Sequence, residues 1–320
     1  MAKKNVFLLI PAYNEAENIG SLLQEIATTI ATCPRYKFTV LFVDDGSTDN
    51  TLTVLQQSDI TDFSIQVIEL SRNFGKEMAL TAGLQSLHCD AVVILDSDLQ
   101  HPPRYIPQLL EKWEQGYYIV STIRRKIDGQ SLPRRIGSQL FYSILNTISE
   151  FKMEPGTTDF RLLDRVVIEA LKKFTERNRL FRGLIDWMGF KKTTIEFEAP
   201  PRRTGEPRYS YSRLFRLALN GFMSFSLMPL KLAGYLGISV ILIFGGLLTF
   251  MLVDKFGGNT FGFSNIAFII VSNVIMNGVV LGCIGLVALY IGHIHTEVIG
   301  RPLYLIQNEY TLQENKNALS

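Results

Sequence analysis

The chain has 320 residues, of which 47% are hydrophobic, and it carries 32 lysines and arginines against 30 aspartates and glutamates. This near-balance of charge argues against bulk nucleic-acid binding, and the length allows one large domain or two ordinary ones. The three cysteines have no paired spacing, which fits a reducing compartment and excludes the usual zinc-ligand patterns.

Residues up to about 125 alternate between strand-like and helix-like segments. Short apolar runs predict buried strands at 5–10, 38–43, 63–70 and 91–95. A helix follows the first strand, where Asn14 and Glu17 are spaced as in a capping box. Further helices are predicted at 47–57, 76–87 and 103–116. Strands that alternate with helices predict a parallel sheet covered on both faces, and therefore an α/β fold.

The four predicted strands end in the polar loops PAYNE, DDGSTD, SRNFGK and DSDLQ. In parallel sheets, ligands bind beyond the carboxyl ends of the strands. Three of the loops contain acids, although turns alone more often use glycine, asparagine and proline. The sequence therefore predicts one shared site along this edge of the sheet.

Asp96 and Asp98 flank a single serine directly after the fourth strand. Two carboxylates at a buried strand end need a positive partner, and a hard divalent cation such as Mg²⁺ prefers such oxygens together with substrate phosphates. Gln100 can add a carbonyl oxygen. Capping of the following helix is the alternative interpretation.

The other loops suit a nucleotide. Asp44 and Asp45 can accept hydrogen bonds from a nucleobase and from ribose hydroxyls, and Tyr13 can stack on a base. Lys76 follows Gly75 at a helix start, an arrangement that favours a diphosphate. Helix capping, ordinary packing and a solvated surface are the respective alternatives.

The sequence changes character after residue 125. Amphipathic helices near 133–150 and at 209–230 are predicted to lie at a membrane interface, although the first equally fits a core helix. The uncharged stretches 232–253 and 257–292 are long enough to cross a bilayer. Basic residues before the first stretch and Arg301 after the second place both termini in the cytoplasm by the positive-inside rule. No basic segment followed by an apolar one opens the chain, so no signal peptide is expected.

The loops PAYNE, VDDGSTD, RNFGK and LDSDLQHPP, in this order, resemble those of family 2 glycosyltransferases. The similarity is greatest to polyprenyl-phosphate glycosyltransferases of the GtrB-like subgroup and to the related dolichyl-phosphate mannose synthases. The resemblance implies an A-type, Rossmann-like α/β catalytic domain with interfacial helices and two C-terminal transmembrane helices. The predicted boundaries are a catalytic domain at 1–208, a juxtamembrane helix at 209–230, the membrane region at 231–295 and a cytoplasmic tail at 296–320.

The resemblance also implies residue roles. Nucleotide binding falls to Pro11, Tyr13, Glu15, Asp44, Gly75, Lys76 and Asp96. Metal binding falls to Asp96, Asp98 and Gln100, and catalysis to Asp98 and Asp159. Acceptor-phosphate binding falls to Arg124, Arg134, Ser138 and Arg202, and the neighbouring Arg125, Arg135 and Arg203 leave the choice within each pair open.

The implied reaction is a metal-dependent, inverting transfer of a hexose, with UDP-glucose favoured as donor and Mg²⁺ or Mn²⁺ as cofactor, to polyprenyl phosphate. Asp159 either orients and stabilises groups or removes a proton. The expected location is the inner or plasma membrane, with the catalytic domain in the cytoplasm. Small residues in the second apolar stretch permit a homo-oligomer. A processive polysaccharide synthase, a transferase with a non-lipid acceptor and a non-catalytic sugar-nucleotide sensor or scaffold are the alternatives.

Overall fold

The structure, a computed structural model, describes residues 3–58, 63–124, 157–176, 181–198 and 265–312, together with Ser239 and Val253. The strands in these ranges are β1 (Lys4–Ala12), β2 (Tyr36–Asp44), β3 (Ser64–Leu70), β4 (Ala91–Ile94), β5 (Ile119–Arg124), β6 (Thr157–Asp164), β7 (Lys192–Phe197) and β8 (Ile306–Thr311). The helices are α1 (Ala16–Ala31), α2 (Thr51–Gln56), α3 (Lys76–Ser86), α4 (Ile106–Glu114), α5 (Arg165–Leu171), α6 (Phe181–Trp187) and α7 (Asn265–Val298), with a 3₁₀ turn at Pro103–Tyr105.

The strands form one mixed sheet in the order β7-β5-β6-β4-β1-β2-β3-β8. The four strands predicted from sequence, β1 to β4, run parallel to one another, which confirms the α/β class. The sequence did not predict the antiparallel pairs of this sheet, in which β6 pairs with β4 and β8 pairs with β3. β1 lies between β2 and β4, so the sheet extends from β1 in both directions, with β2 and β3 on one side and β4 on the other. Open α/β sheets bind their ligands at such a switch point.

The core of the sheet is apolar because β1, β2 and β4 are buried on both faces. Val6, Leu8 and Ile10 on β1 have no exposed surface, and neither does Val40 on β2. Helix α1 packs its predicted apolar stripe into this core, with Ile19, Leu22, Leu23 and Ile26 at most 1% exposed. A continuous apolar run in a central strand is typical of a sheet with two covered faces.

The predicted capping box at the start of α1 is wrong. The helix begins at Ala16 with Glu15 at the N-cap position, and the Glu15 side chain does not cap it. The Ala16 N–H instead donates to the Asp49 carboxylate at 3.3 Å. Asn14 instead has a left-handed backbone (φ 55°), and its side-chain oxygen accepts a hydrogen bond from the Thr48 N–H at 2.8 Å. The Asn14 side chain therefore joins the loop after β1 to the loop after β2 and does not cap the helix.

The segment Ile306–Thr311 forms the edge strand β8, within the stretch predicted as a tail. The Glu69 carboxylate of β3 accepts hydrogen bonds from the Asn308 amide and the Tyr310 hydroxyl, each at 2.7 Å. The stretch IQNEYT is short and polar, so it lacks the apolar alternation that predicts a strand.

The chain divides into two compact units. One comprises Met1–Thr147, Phe151–Arg208 and Arg301–Ser320, and the other comprises Ile148–Glu150 and Tyr209–Gly300. The predicted interfacial helices near 133–150 and at 209–230 lie outside the described residues.

The two predicted membrane crossings gain no support from the structure. The first falls outside the described residues apart from Ser239 and Val253. The second overlaps α7, and within the part of the chain that the structure describes no helix has both the length and the apolar character needed to cross a membrane.

Candidate active site

The loops after β1 and β2 are hydrogen-bonded into one rim. The Asn14 N–H donates to the Ser47 hydroxyl at 2.9 Å, and the Glu15 N–H donates to the Thr51 hydroxyl at 2.9 Å. Asp44, which is 1% exposed, accepts hydrogen bonds from both the N–H and the hydroxyl of Ser47. Burial raises the pKa of the Asp44 carboxyl, and the Ser47 hydrogen bonds only partly offset this. The rim is therefore fixed before any ligand arrives.

The Asp45 carboxylate joins the loop after β2 to the loop after β3. Its two oxygens accept the backbone N–H groups of Phe74 at 2.7 Å and Gly75 at 2.8 Å. Asp45 thereby anchors the loop that leads into α3 and carries Lys76. The prediction that Asp44 and Asp45 act together on a base and ribose stays a prediction.

The ends of β1 and β4 are tied together beside this rim. The Ser97 hydroxyl donates to the Pro11 carbonyl at 3.3 Å, so the serine between the two predicted metal ligands contacts the predicted nucleoside loop. Tyr13 is half-buried and follows directly at the end of β1. The structure thus brings the predicted residues of these two loops to the same crevice.

The loop after β4 is held by a histidine that the sequence analysis did not assign. The Asp96 N–H donates to His101 Nδ1 at 3.0 Å, and the His101 ring is 6% exposed and stacks on Phe160 with 5.4 Å between ring centroids. Burial lowers the pKa of His101, which favours the neutral ring that this hydrogen bond requires. Asp98 accepts the Gln100 N–H at 3.1 Å across a tight turn. The signal was present in the sequence, since His101 lies only three residues after Asp98.

Lys76 joins two predicted site residues from different strands. Its ammonium lies 2.5 Å from Asp96 Oδ1 after β4 and 2.8 Å from Asp159 Oδ2 on β6. The carboxylates raise the pKa of Lys76 although burial opposes this. Burial also disfavours the charged form of Asp96, but the positive charge of Lys76 outweighs it and lowers the pKa of Asp96. The structure therefore places Lys76 in contact with both Asp96 and Asp159.

Arg182 on α6 is the second partner of Asp159. Its Nε lies 2.6 Å from Asp159 Oδ1, and another of its nitrogens donates to the Thr157 carbonyl at 3.2 Å. Burial acts to raise the pKa of Asp159, but the hydrogen bond from Arg182 and the charge of Lys76 hold it well below its usual range. A carboxylate between two cations is a weak base, so the geometry favours the orienting role of Asp159 over proton removal.

Two further buried charges lie near Asp159 and were not predicted. Arg161, on the same strand and 2% exposed, donates to the Thr158 carbonyl at 2.8 Å. Glu77 accepts the N–H of Phe181, the first residue of α6, at 3.2 Å. The two-residue spacing of Asp159 and Arg161 was a usable signal, because such residues share one face of a strand. No local pattern in the sequence predicts the roles of Glu77 and Arg182, because their contacts depend on where α6 packs.

Of the predicted acceptor-phosphate residues, the structure describes Arg124 alone. Its guanidinium donates to the Gln100 side-chain oxygen at 3.4 Å, which links it to the predicted metal ligands. Arg134, Ser138 and Arg202 lie outside the described residues, so their roles stay predictions.

The donor set after β4 fits a divalent cation that completes its coordination with substrate phosphates. No group of three or more His, Cys, Asp or Glu side chains suited to a metal occurs among the described residues. Mg²⁺, however, is usually held by only one or two carboxylates plus phosphate oxygens and water. Asp96 Oδ1 is buried and faces the Lys76 ammonium at 2.5 Å, so this oxygen already contacts a positive charge. Asp98 is half-buried and Gln100 offers a side-chain oxygen beside it.

These features define an α/β protein with carboxylates and a lysine gathered at the carboxyl ends of its central parallel strands. The family model described as Glycosyl transferase family 2 matches residues 7–171. The chain belongs to glycosyl transferase family 2 and is a glycosyltransferase.

Relatives resemble the chain over nearly its whole length. A bactoprenol glucosyl transferase of Shigella phage SfV is 35% identical over 311 residues, which cover 95% of this chain and 98% of that protein. A prophage bactoprenol glucosyl transferase homolog of Escherichia coli K12 is 34% identical over 309 residues, with 94% and 98% coverage. An uncharacterized glycosyltransferase of Synechocystis is 35% identical, with 96% coverage of both chains.

Solved structures resemble it more distantly. The Staphylococcus aureus TarS fragment 1–349 in complex with UDP-GlcNAc superposes with a TM-score of 0.48 at 16% identity, covering 70% of this chain and 68% of that one.

Proposed function

We propose that this enzyme transfers glucose from UDP-glucose to a polyprenyl phosphate, with inversion at the anomeric carbon and with the help of Mg²⁺ or Mn²⁺. The acceptor and the sugar are suggested by the relatives named bactoprenol glucosyl transferase, which match the chain from end to end at 34–35% identity. The observation that carries the mechanism is the contact of Lys76 with Asp96 and Asp159 at the crevice beside β1.

The donor binds along the crevice between β1, β2 and β4 in this proposal. The buried carboxylate of Asp44 receives the nucleoside, with Tyr13 stacked on the base and Glu15 beside it. The backbone around Gly75, which has φ 98°, and the Lys76 ammonium receive the diphosphate. A metal held by Asp96, Asp98 and Gln100 supplies Lewis-acid stabilisation of the charge on the leaving diphosphate when it is bound.

The acceptor needs little activation. The second pKa of a phosphate monoester is about 6, so a polyprenyl phosphate is mostly a dianion at neutral pH and is already nucleophilic. Attack of its oxygen on the anomeric carbon, with departure of the nucleotide diphosphate from the opposite face, inverts that carbon. Asp159 holds Lys76 and Arg182 in place during this step, and no general base is required.

Arg124 and the predicted Arg134, Ser138 and Arg202 bind the acceptor phosphate in this scheme. Guanidinium groups suit that role because their parallel N–H groups match phosphate oxygens. A lipid acceptor fixes the location: we propose that the protein acts at the inner membrane with its catalytic unit in the cytoplasm. The two uncharged stretches of sequence at 232–253 and 257–292 support this proposal.

The test is an assay of the purified full chain in detergent with undecaprenyl phosphate and a panel of radiolabelled nucleotide sugars, with and without EDTA. We expect a β-linked glucosyl lipid from UDP-glucose, lost on chelation and restored by Mn²⁺ or Mg²⁺. Transfer to water or to a soluble sugar alone contradicts the lipid acceptor, and full activity in EDTA contradicts the metal. Sedimentation with washed membranes checks the location.

A further inference from the structure

Lys76 already holds the position next to Asp96 that a cation is expected to take. Its ammonium lies 2.5 Å from Asp96 Oδ1, and that oxygen is buried. The other carboxylate oxygen lies 3.6 Å from His101 Nδ1. Because Nδ1 accepts the Asp96 N–H, it has no proton to give to the carboxylate. Lys76 is therefore the group that neutralises Asp96.

The two carboxylates that Lys76 joins are not equally dependent on it. Asp159 keeps a second cationic partner, since Arg182 Nε lies 2.6 Å from its other oxygen. Asp96 has no such second partner among the described residues. If Lys76 moves, Asp159 remains compensated, whereas Asp96 requires a new positive charge. An uncompensated buried carboxylate is costly, so the departure of Lys76 must be coupled to the arrival of another cation.

We propose that Lys76 is an internal counterion that occupies the cation position of Asp96 in the unliganded enzyme and yields it when the metal binds with the donor. The inference rests on the metal and donor parts of the proposed function, not on the identity of the acceptor. An ammonium and a divalent cation cannot share Asp96 Oδ1, because they repel each other and compete for the same lone pairs. Lys76 then stays near Asp159 and turns to the incoming diphosphate.

This exchange has a thermodynamic consequence. Metal alone must displace Lys76 without offering it a new anionic partner, so it binds weakly. A nucleotide diphosphate offers that partner, so metal and nucleotide strengthen each other's binding by the same factor. Lys76 thereby compensates the charge of Asp96 in the free site and links the metal affinity of the site to the presence of donor.

The test measures Mn²⁺ binding rather than turnover. Free Mn²⁺ is counted by electron paramagnetic resonance in titrations of the purified full chain, without and with UDP, for wild type, Lys76→Met and the control Lys112→Met on α4. Without UDP, we expect Lys76→Met to bind Mn²⁺ at least about tenfold more tightly than wild type, and Lys112→Met to match wild type. UDP should tighten Mn²⁺ binding at least about tenfold in wild type and far less in Lys76→Met.

A second variant keeps the proposal falsifiable if Lys76→Met does not fold. Lys76→Gln retains a hydrogen-bond donor without the charge and is expected to tighten Mn²⁺ binding by a smaller factor. Equal or weaker Mn²⁺ binding in the folded Lys76 variants overturns the exchange while leaving the metal site of the proposed function intact. An absence of Mn²⁺ binding in every protein, wild type included, overturns both.

Discussion

The crevice has two sides that treat buried acids in opposite ways. On the β2 side, Asp44 and Asp45 accept hydrogen bonds from neutral backbone and hydroxyl donors, and burial raises the pKa of both. On the β4 side, Asp96 and Asp159 contact charged side chains, and the pKa of both is lowered. Neutral donors belong to the fold and stay in place, whereas an ammonium on a flexible side chain can exchange. The first side is thus a fixed rim, and the second is suited to ions.

The largest effect is expected from removing the Asp96 charge on the ionic side. Asp96→Asn should lower the rate of glucosyl transfer by about 10³-fold, because it removes the charge that would hold the metal against the leaving diphosphate. The free energy of unfolding should change by only about 1 kcal/mol, since Lys76 stays paired with Asp159. Steady-state kinetics and urea denaturation check this, with the exposed Glu111→Gln as control. A variant that keeps the wild-type rate would refute the role of Asp96.

The fixed rim is most sensitive at Gly46. Its φ of 69° lies in the left-handed region, and an added Cβ would lie 2.4 Å from the backbone carbon of Arg72. Gly46→Ala should therefore lower the free energy of unfolding by about 3 kcal/mol or more. Gly20→Ala is the matched control, because nothing lies within 4 Å of an added Cβ there, and it should stabilise α1 by about 0.5–1 kcal/mol. Equal effects of the two substitutions in urea denaturation would contradict the close approach of the two loops.

Glu77 lies on the ionic side, but its pKa is raised, as are the pKa values of Asp44 and Asp45 in the rim. Burial, and secondly the charge of Asp159, raise its pKa to about 7. Its pKa in the unfolded chain is about 4.3, so folding favours the protonated form. This contribution to stability is present in full below the unfolded pKa and is lost as the pH rises through about 7.

The matching measurement is urea denaturation of wild type and Glu77→Gln across pH. Relative to the variant, the wild-type free energy of unfolding should fall by up to about 3 kcal/mol between about pH 5 and pH 8. Glu17→Gln, at an exposed position on α1, serves as control. A difference that stays flat with pH would show that Glu77 does not retain its proton in the folded state.

The smallest effect is expected at Asp45. Asn offers one acceptor oxygen where Asp45 uses two, so Asp45→Asn should lose one of the bonds to Phe74 and Gly75 and cost about 1–2 kcal/mol of unfolding free energy. It should raise the KM for the donor several-fold by loosening the loop of Lys76, with kcat nearly unchanged. This is the reverse of the pattern expected for Asp96→Asn. A large loss of kcat would instead place Asp45 among the reacting groups.

The sequence by itself determined much of this protein. The apolar runs set β1 to β4, the helical spacing set the buried face of α1, and the acids after each strand marked the crevice. These features are local: the period of the side chains and the end of a strand can be read without knowing the fold. The family and the class of reaction followed from the same loops.

Only the tertiary structure decided which acids pair with which partners. Asp44 and Asp45 are adjacent in sequence, yet one carboxylate bonds Ser47 in its own loop and the other ties down the loop before Lys76. Arg182 reaches Asp159 because α6 packs at the end of β6, and Tyr310 reaches Glu69 because β8 returns to β3. Such contacts join residues far apart in the chain, and no local pattern encodes them. They depend on the packing of the sheet, which also fixes the charge that each site acid carries.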